Sequence, residues 1–112
     1  MQTKKLLALA KDALADVKAR DVRVLDVREL TTMADYLVVA SGTSDRHVKS
    51  LADRVVERAA AAGVPALGVE GREGGEWVLV DLQDVIVHIM QPKAREFYKL
   101  ESLWDIGSAA TA

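Results

Sequence analysis

The stretch of this 112-residue chain best suited to chemistry is a polar turn, Ser41-Gly42-Thr43-Ser44. It stands before a helical pattern, so its backbone N–H groups and the helix dipole could cradle a phosphate. Enzymes that transfer nucleotides also need paired carboxylates on one strand to hold Mg²⁺. Asp81 and Asp84 are separated by a turn, so sequence spacing supplies no such pair. Helix capping by Thr43 or Ser44 is the preferred interpretation, and a nucleotide-binding or nucleotidyltransferase-like enzyme is the alternative.

Other side chains that could act as nucleophiles, bases or metal ligands are few. The chain has no cysteine, which excludes disulfides, thiolate catalysis and cysteine zinc sites. His47 should form hydrogen bonds at the start of a helix, and His88 has no second histidine nearby in sequence. We therefore predict no catalytic residue, no cofactor and no metal site.

Charge is distributed unevenly along the chain. The net charge of −2 argues against a nucleic-acid-binding protein, which normally needs a basic face. Residues 1–63 carry 11 basic and 9 acidic side chains, whereas residues 64–112 carry 4 and 8, giving +2 and −4. The acidic C-terminal half favours a basic partner, although plain solvated surface is the open alternative. Since the sequence shows neither a membrane-spanning run nor a secretory signal, we expect a cytoplasmic protein.

Hydrophobic periodicity predicts one domain containing helices and strands in mixed order. The predicted helices are Thr3 to Ala19, Asp45 to Ala62 and Pro92 to about Trp104; the predicted strands are Val22 to Arg28, Tyr36 to Ala40, Ala66 to Glu70, Glu76 to Leu82 and Val85 to Met90. This order indicates an α/β fold in which a mixed five-stranded sheet has helical cover. The domain should span residues 1–106, and the tail 107–112 should be disordered.

The last two strands should form a hairpin around Gln83 and Asp84 whose two faces differ in composition. One face is wholly aliphatic and consists of Val78, Val80, Leu82, Val85, Val87 and Ile89. The other face consists of Trp77, Leu79, Asp81, Ile86, His88 and Met90. We assign the first face to the core and the second to a partner-binding surface, with Trp77 and Met90 at its apolar centre. The alternative is that a helix covers the second face too.

The last predicted helix carries two adjoining stripes. Phe97, Leu100 and Trp104 form one stripe, and Tyr98 and Glu101 form the other. We expect Phe97 and Leu100 to pack against the sheet, and Tyr98 with Glu101 to lie beside Trp77 and face the partner.

Several sequence blocks stand in a characteristic order. They are Ala34-Asp-Tyr-Leu-Val-Val-Ala-Ser-Gly-Thr-Ser44 with Arg46-His-Val48, Glu70-Gly71, Trp77-Val-Leu-Val-Asp81, Asp84-Val-Ile-Val-His88, and Arg95-Glu-Phe-Tyr-Lys-Leu-Glu-Ser-Leu-Trp104. Their order and intervals resemble those of the ribosomal silencing factor (Iojap-like) family from about Leu6 to Trp104. A single block would be weak, but the joint pattern is specific.

The resemblance implies a nucleotidyltransferase-like topology without the catalytic carboxylates. It also implies a non-enzymatic repressor that docks on the fourteenth protein of the large ribosomal subunit and blocks joining of the small subunit, mainly under nutrient limitation. The free protein would be a homodimer, with no direct nucleic-acid readout and no membrane contact. Combining this with the hairpin and helix patterns, we assign the ribosomal contact to Trp77, Leu79, Asp81, His88, Met90, Glu96, Tyr98 and Glu101.

Overall fold

Three helices and five strands make up residues 1–100, the part of the chain that the computed structural model describes. In chain order they are α1 (Thr3–Asp16), β1 (Arg20–Asp26), β2 (Tyr36–Ser41), α2 (Asp45–Ala61), β3 (Gly68–Glu70), β4 (Trp77–Asp81), β5 (Val85–Met90) and α3 (Pro92–Tyr98). Glu101, Trp104, the predicted domain end at residue 106 and the predicted disorder of the tail 107–112 lie outside the described residues.

The five strands form one mixed sheet in the order β1-β2-β5-β4-β3. β2 and β5 are parallel, and the other neighbouring pairs are antiparallel. Trp77 lies opposite Met90 and Val80 opposite Val87, so the hairpin register predicted from the sequence is confirmed. The predicted single α/β domain with a mixed five-stranded sheet is confirmed as well.

Helices α1 and α2 cover one face of the sheet. Leu6, Ala10, Ala13 and Leu14 of α1 recur at helical spacing and are buried, as are Val48, Leu51, Ala52, Val55 and Ala59 of α2. They pack on the aliphatic hairpin face, where Val78, Val80, Val85, Val87 and Ile89 have no exposed surface. This layer is the main hydrophobic core, as the periodicity predicted.

Several elements begin or end at other residues than predicted, and tertiary pairing explains most of the differences. β1 ends at Asp26 because that residue pairs with Tyr36, the first residue of β2. β3 begins at Gly68 because its partner in β4 is Asp81, the last residue of that strand. α1 stops at Asp16, and Lys18 follows in the left-handed region at φ 60°.

Among residues 1–100, the helix that covers the opposite face of the sheet is α3. Leu25, Val27, Leu37, Val39, Met90 and Ala94 form a second buried cluster there, with Trp77, Ile86 and Leu100 packed at its margin. Ala94 brings α3 close to the sheet above Met90, whereas Leu79, Asp81 and Ile86 keep partly exposed side chains. For the described residues, the alternative of a helix over this face therefore holds at its Met90 end, and we call this surface the half-covered face.

Candidate functional site

A hydrogen bond between two neighbouring strands fixes the indole of Trp77 at the open part of this face. Trp77 Nε1–H donates to His88 Nδ1 over 2.9 Å, and the two ring centroids lie 5.7 Å apart. Since Nδ1 accepts this bond, the proton of the neutral imidazole is on Nε2. The buried His88 therefore fixes the orientation of the Trp77 indole through this hydrogen bond.

Burial keeps the His88 imidazole neutral. The residue is 6% exposed, and burial lowers its pKa from 6.5 to about 4 because the charged form would lose its hydration. At neutral pH Nδ1 thus remains an acceptor for the Trp77 indole. The predicted place of His88 on this face is correct, but its ring lies beneath the surface.

Two aromatic side chains of α3 continue the surface beyond Trp77. The Tyr98 ring centroid lies 4.8 Å from that of Trp77, and Phe97 meets Tyr98 edge-on with 5.1 Å between centroids. Tyr98 is 49% exposed and Phe97 is 79% exposed. We call Trp77, Phe97 and Tyr98 the aromatic cluster; the predicted position of Tyr98 beside Trp77 is confirmed.

Phe97 corrects one prediction, because it does not pack beneath the helix. The buried residue of α3 is the small Ala94, which is 1% exposed and belongs to the second cluster on the sheet. After Tyr98 the backbone turns at Lys99, whose φ of 48° and ψ of 45° are left-handed and end the helix. Leu100 then packs against the second cluster, as predicted, and Phe97 is left facing solvent.

Met90 corrects a second prediction. The side chain has no exposed surface and lies within the second cluster under Ala94. Its assignment to the apolar centre of a contact surface is therefore wrong. The sequence could not distinguish this burial, because alternation along a strand shows which residues share a face but not what covers it.

Acidic side chains lie both beside the aromatic cluster and farther along β4. Asp81, at the opposite end of β4 from Trp77, is half-buried, and its Oδ1 accepts a hydrogen bond from the Gln83 N–H at 2.8 Å, which holds the carboxylate in place. Glu96 is exposed on α3. Glu70 shares a shallow depression with Trp77 and Leu79, and Glu76 lies in another with both α3 aromatics. The border is mainly acidic, although Lys93 also reaches it.

The polar turn at the end of β2 has two amides bonded within the chain. Gly42 N–H donates to Met90 O at 3.0 Å, and Thr43 N–H donates to His47 Nδ1 at 2.8 Å. Ser44 Oγ accepts from His47 N–H at 3.1 Å, so Ser44 is the cap of α2. Two amides of the turn and the Ser44 hydroxyl are thus engaged within the chain, which favours the structural role of the turn.

His47 joins the two helices of the covered face. Besides accepting from Thr43, it donates from Nε2 to the Val17 carbonyl at 2.6 Å. The expected hydrogen-bonding role at the helix start is confirmed. Arg95 makes a connection that sequence reasoning missed, donating to the Asp21 carbonyl at 2.6 Å and to the Ser41 hydroxyl at 2.9 Å. No local pattern signals such a long-range contact.

Within residues 1–100, no three His, Asp or Glu side chains come together as a metal site would require. None of the helices in that range has the length and apolarity to cross a membrane.

Fold and site together define a small α/β domain with a preorganised aromatic surface bordered by carboxylates. The chain matches the family described as "Ribosomal silencing factor during starvation" over residues 1–112. It is also 45% identical over 104 residues to the Ribosomal silencing factor RsfS of Chromobacterium violaceum, covering 93% of this chain and 85% of that protein. The chain therefore belongs to the ribosomal silencing factor family, which confirms the resemblance drawn from its sequence blocks.

Solved structures and a more distant relative agree with this assignment. A crystal structure of a protein from Chromobacterium violaceum superposes with a TM-score of 0.93 at 45% identity, covering 94% of this chain and 88% of that one. The mouse protein named "Mitochondrial assembly of ribosomal large subunit protein 1" is 34% identical over 98 residues, covering 85% of this chain and 43% of the relative. These names describe ribosome-associated factors. The nucleotidyltransferase-like topology stays a prediction.

Proposed function

We propose that this protein docks on the fourteenth protein of the large ribosomal subunit and blocks joining of the small subunit, mainly when nutrients are limiting. Family membership supports a ribosome-associated silencing role. The observation that carries the docking proposal is the aromatic cluster, in which the half-buried Trp77 is held between His88 and Tyr98.

The cluster has the properties of an interface hot spot. Tryptophan and tyrosine dominate binding energy at protein interfaces because each offers a large area with few rotatable bonds. The hydrogen bond to His88 and the contact with Tyr98 fix the indole before any partner arrives, so little side-chain entropy remains to be lost. Leu79 adds apolar surface beside Trp77. In this proposal His88 supports the contact without touching the partner.

Charge favours a basic protein over RNA as the partner. Asp81 and Glu96 lie on or beside the half-covered face, within a C-terminal half whose formal charge is −4. Glu101 completes the proposed acidic set and lies outside the described residues. Carboxylates attract a basic ribosomal protein and repel phosphates, so the proposal includes no direct nucleic-acid readout.

Steric exclusion requires no catalytic group. A bound domain of this size at the subunit interface would block the joining partner for as long as it stays attached. The proposal therefore places a non-enzymatic factor in the cytoplasm, away from membranes. When free, the same exposed aromatic surface would be available to a second copy, which is consistent with a homodimer that exchanges one partner for another.

Co-sedimentation with washed large ribosomal subunits, without nucleotide, tests the proposal. The protein should be retained stoichiometrically and should lower the yield of joined subunits when small subunits are added. Trp77→Ala should weaken binding by about 30-fold, corresponding to about 2 kcal/mol for a hot-spot aromatic. Leu30→Ala is the matched control, because Leu30 is an exposed apolar side chain that does not belong to the cluster.

Two outcomes would contradict the docking surface or the function. Normal binding by a Trp77→Ala protein with a lowered unfolding midpoint would show that the indole serves the core. Magnesium-dependent nucleotide binding by the isolated protein, together with no retention on large subunits, would favour the enzymatic alternative instead.

A further inference from the structure

The loop between β3 and β4 is held in place by contacts with α2. Gly75 has a φ of 69°, which favours glycine, and a Cβ there would lie 2.9 Å from the Cβ of Asp45. The loop backbone therefore packs directly on the first residue of α2. Earlier in the loop, Arg72 donates two hydrogen bonds to Asp53 of the same helix, at 2.8 and 2.7 Å. Residues 71–76 are thus anchored on a helix of the covered face.

Gln91 connects this loop to the start of α2. Its Nε2 donates to the Gly75 carbonyl at 3.0 Å and to Asp45 Oδ1. Both partners are oxygen atoms that accept hydrogen bonds, so the nitrogen of the amide must face them. The backbone N–H of Gln91 donates to the Glu76 carbonyl at 3.0 Å, which extends the pairing of β4 with β5 by one residue beyond Trp77. The two carbonyls that precede Trp77 are therefore both bonded to Gln91.

The same residue stands immediately before α3. Gln91 is the N-cap of that helix, but its side chain makes no cap hydrogen bond. The side chain at this position usually accepts a hydrogen bond from the first turn, and serine, threonine, aspartate and asparagine do so best. The Gln91 amide instead donates to the loop and to α2. The rings of Trp77 and Tyr98, 4.8 Å apart, are thus both linked to Gln91, one through Glu76 and the other through α3.

We propose that Gln91 is a positioning residue of the aromatic cluster, which sets the placement of the Trp77 indole against the Tyr98 ring by holding the loop 71–76 on α2. Without its two side-chain hydrogen bonds, the loop would shift on α2 and the indole would be less firmly held. A partner would then have to order the indole on binding, which lowers affinity. The effect on the isolated chain needs no ribosome, whereas the effect on affinity rests on the proposed function.

Nuclear magnetic resonance of the Trp77 indole in the full-length chain tests this role. The chain has two tryptophans, so a Trp104→Phe variant assigns the signal of Trp77. Gln91→Met keeps the length of the side chain but removes both N–H donors. The indole N–H should then exchange with water several-fold faster, and Overhauser contacts between Trp77 and Tyr98 should weaken. Gln91→Lys keeps donors for the same two oxygen atoms and should preserve the signal. Gln2→Met is the matched control, because Gln2 is the N-cap of α1 and also makes no side-chain cap bond.

A second pair of variants reaches the loop from its other side. Gly75→Ala places a Cβ against Asp45 and should displace the loop, so the Trp77 signal should change as it does in Gln91→Met. Gly63→Ala is the matched control: Gly63 also has a positive φ, 86°, but no atom of residues 1–100 lies within 4 Å of its Cβ position. The backbone conformation is unfavourable for alanine in both variants, and only Gly75→Ala should disturb the indole.

Co-sedimentation with large ribosomal subunits completes the test. Gln91→Met should weaken binding by about 3- to 10-fold, because an interface side chain must then be ordered on binding. An unchanged indole signal in folded Gln91→Met or Gly75→Ala would overturn the positioning role, even if the urea midpoint falls, and so would a changed signal with unaltered binding. If the unmodified protein is not retained on large subunits, the proposed function fails, while the indole measurement still decides whether Gln91 positions Trp77.

Discussion

The neutral state of His88 should make the stability of the fold depend on pH in a defined window. Burial lowers the pKa of this imidazole from 6.5 to about 4. Between pH 6.5 and about pH 4, His88 is protonated in the unfolded chain and neutral in the folded chain. The contribution of His88 to stability is therefore complete above pH 6.5 and is lost as the pH falls towards 4, by about 3 kcal/mol in total.

Urea unfolding followed by circular dichroism at steps between pH 7 and 4 measures this loss. His88→Gln keeps an acceptor for Trp77 but cannot titrate, so its profile should be nearly flat across the window. Asp26 and Asp53 do not interfere, because hydrogen bonds from arginines lower their pKa values and their contributions are lost only below about pH 4. Equal slopes for the unmodified protein and His88→Gln would refute the reasoning.

Three further substitutions distinguish side chains that stabilise the core from side chains that lie on the surface. Met90→Ala should lower the free energy of unfolding by about 2–5 kcal/mol in urea titrations, because it empties a fully buried site. Phe97→Ala should shift the same quantity by less than about 0.5 kcal/mol, and a larger loss would place the ring in the core. Asp81→Lys should slow association with large subunits and weaken the salt dependence of binding, whereas Lys11→Glu on the opposite layer should not.

The hairpin shows what a strand pattern can predict. Two loop residues between apolar strands specified which side chains face each other, and the observed pairs of Trp77 with Met90 and Leu79 with His88 match. The core face was predictable because all its members are aliphatic, which leaves one possible orientation towards α1 and α2.

Coverage of the second face was not predictable, because it depends on contacts between distant elements. Continuous periodicity from Pro92 onwards favoured one long helix with Phe97 against the sheet. The left-handed Lys99 is neither glycine nor asparagine, so no residue type signalled the break. Met90 is buried because α3 approaches the sheet closely at Ala94. An alanine is small enough to permit this approach, but its presence in the sequence does not predict it.

The chemistry of the site follows from which part of the second sheet face the described helices cover. The cover on one part of the face buries His88 away from water, so its imidazole stays neutral. The neutral ring can then accept the hydrogen bond from the Trp77 indole N–H. Openness on the other half leaves that indole available for contact. A fully covered sheet would bury Trp77, and a fully open one would hydrate His88 and loosen the hydrogen bond. In the proposed docking, this arrangement keeps Trp77 both accessible and rigid.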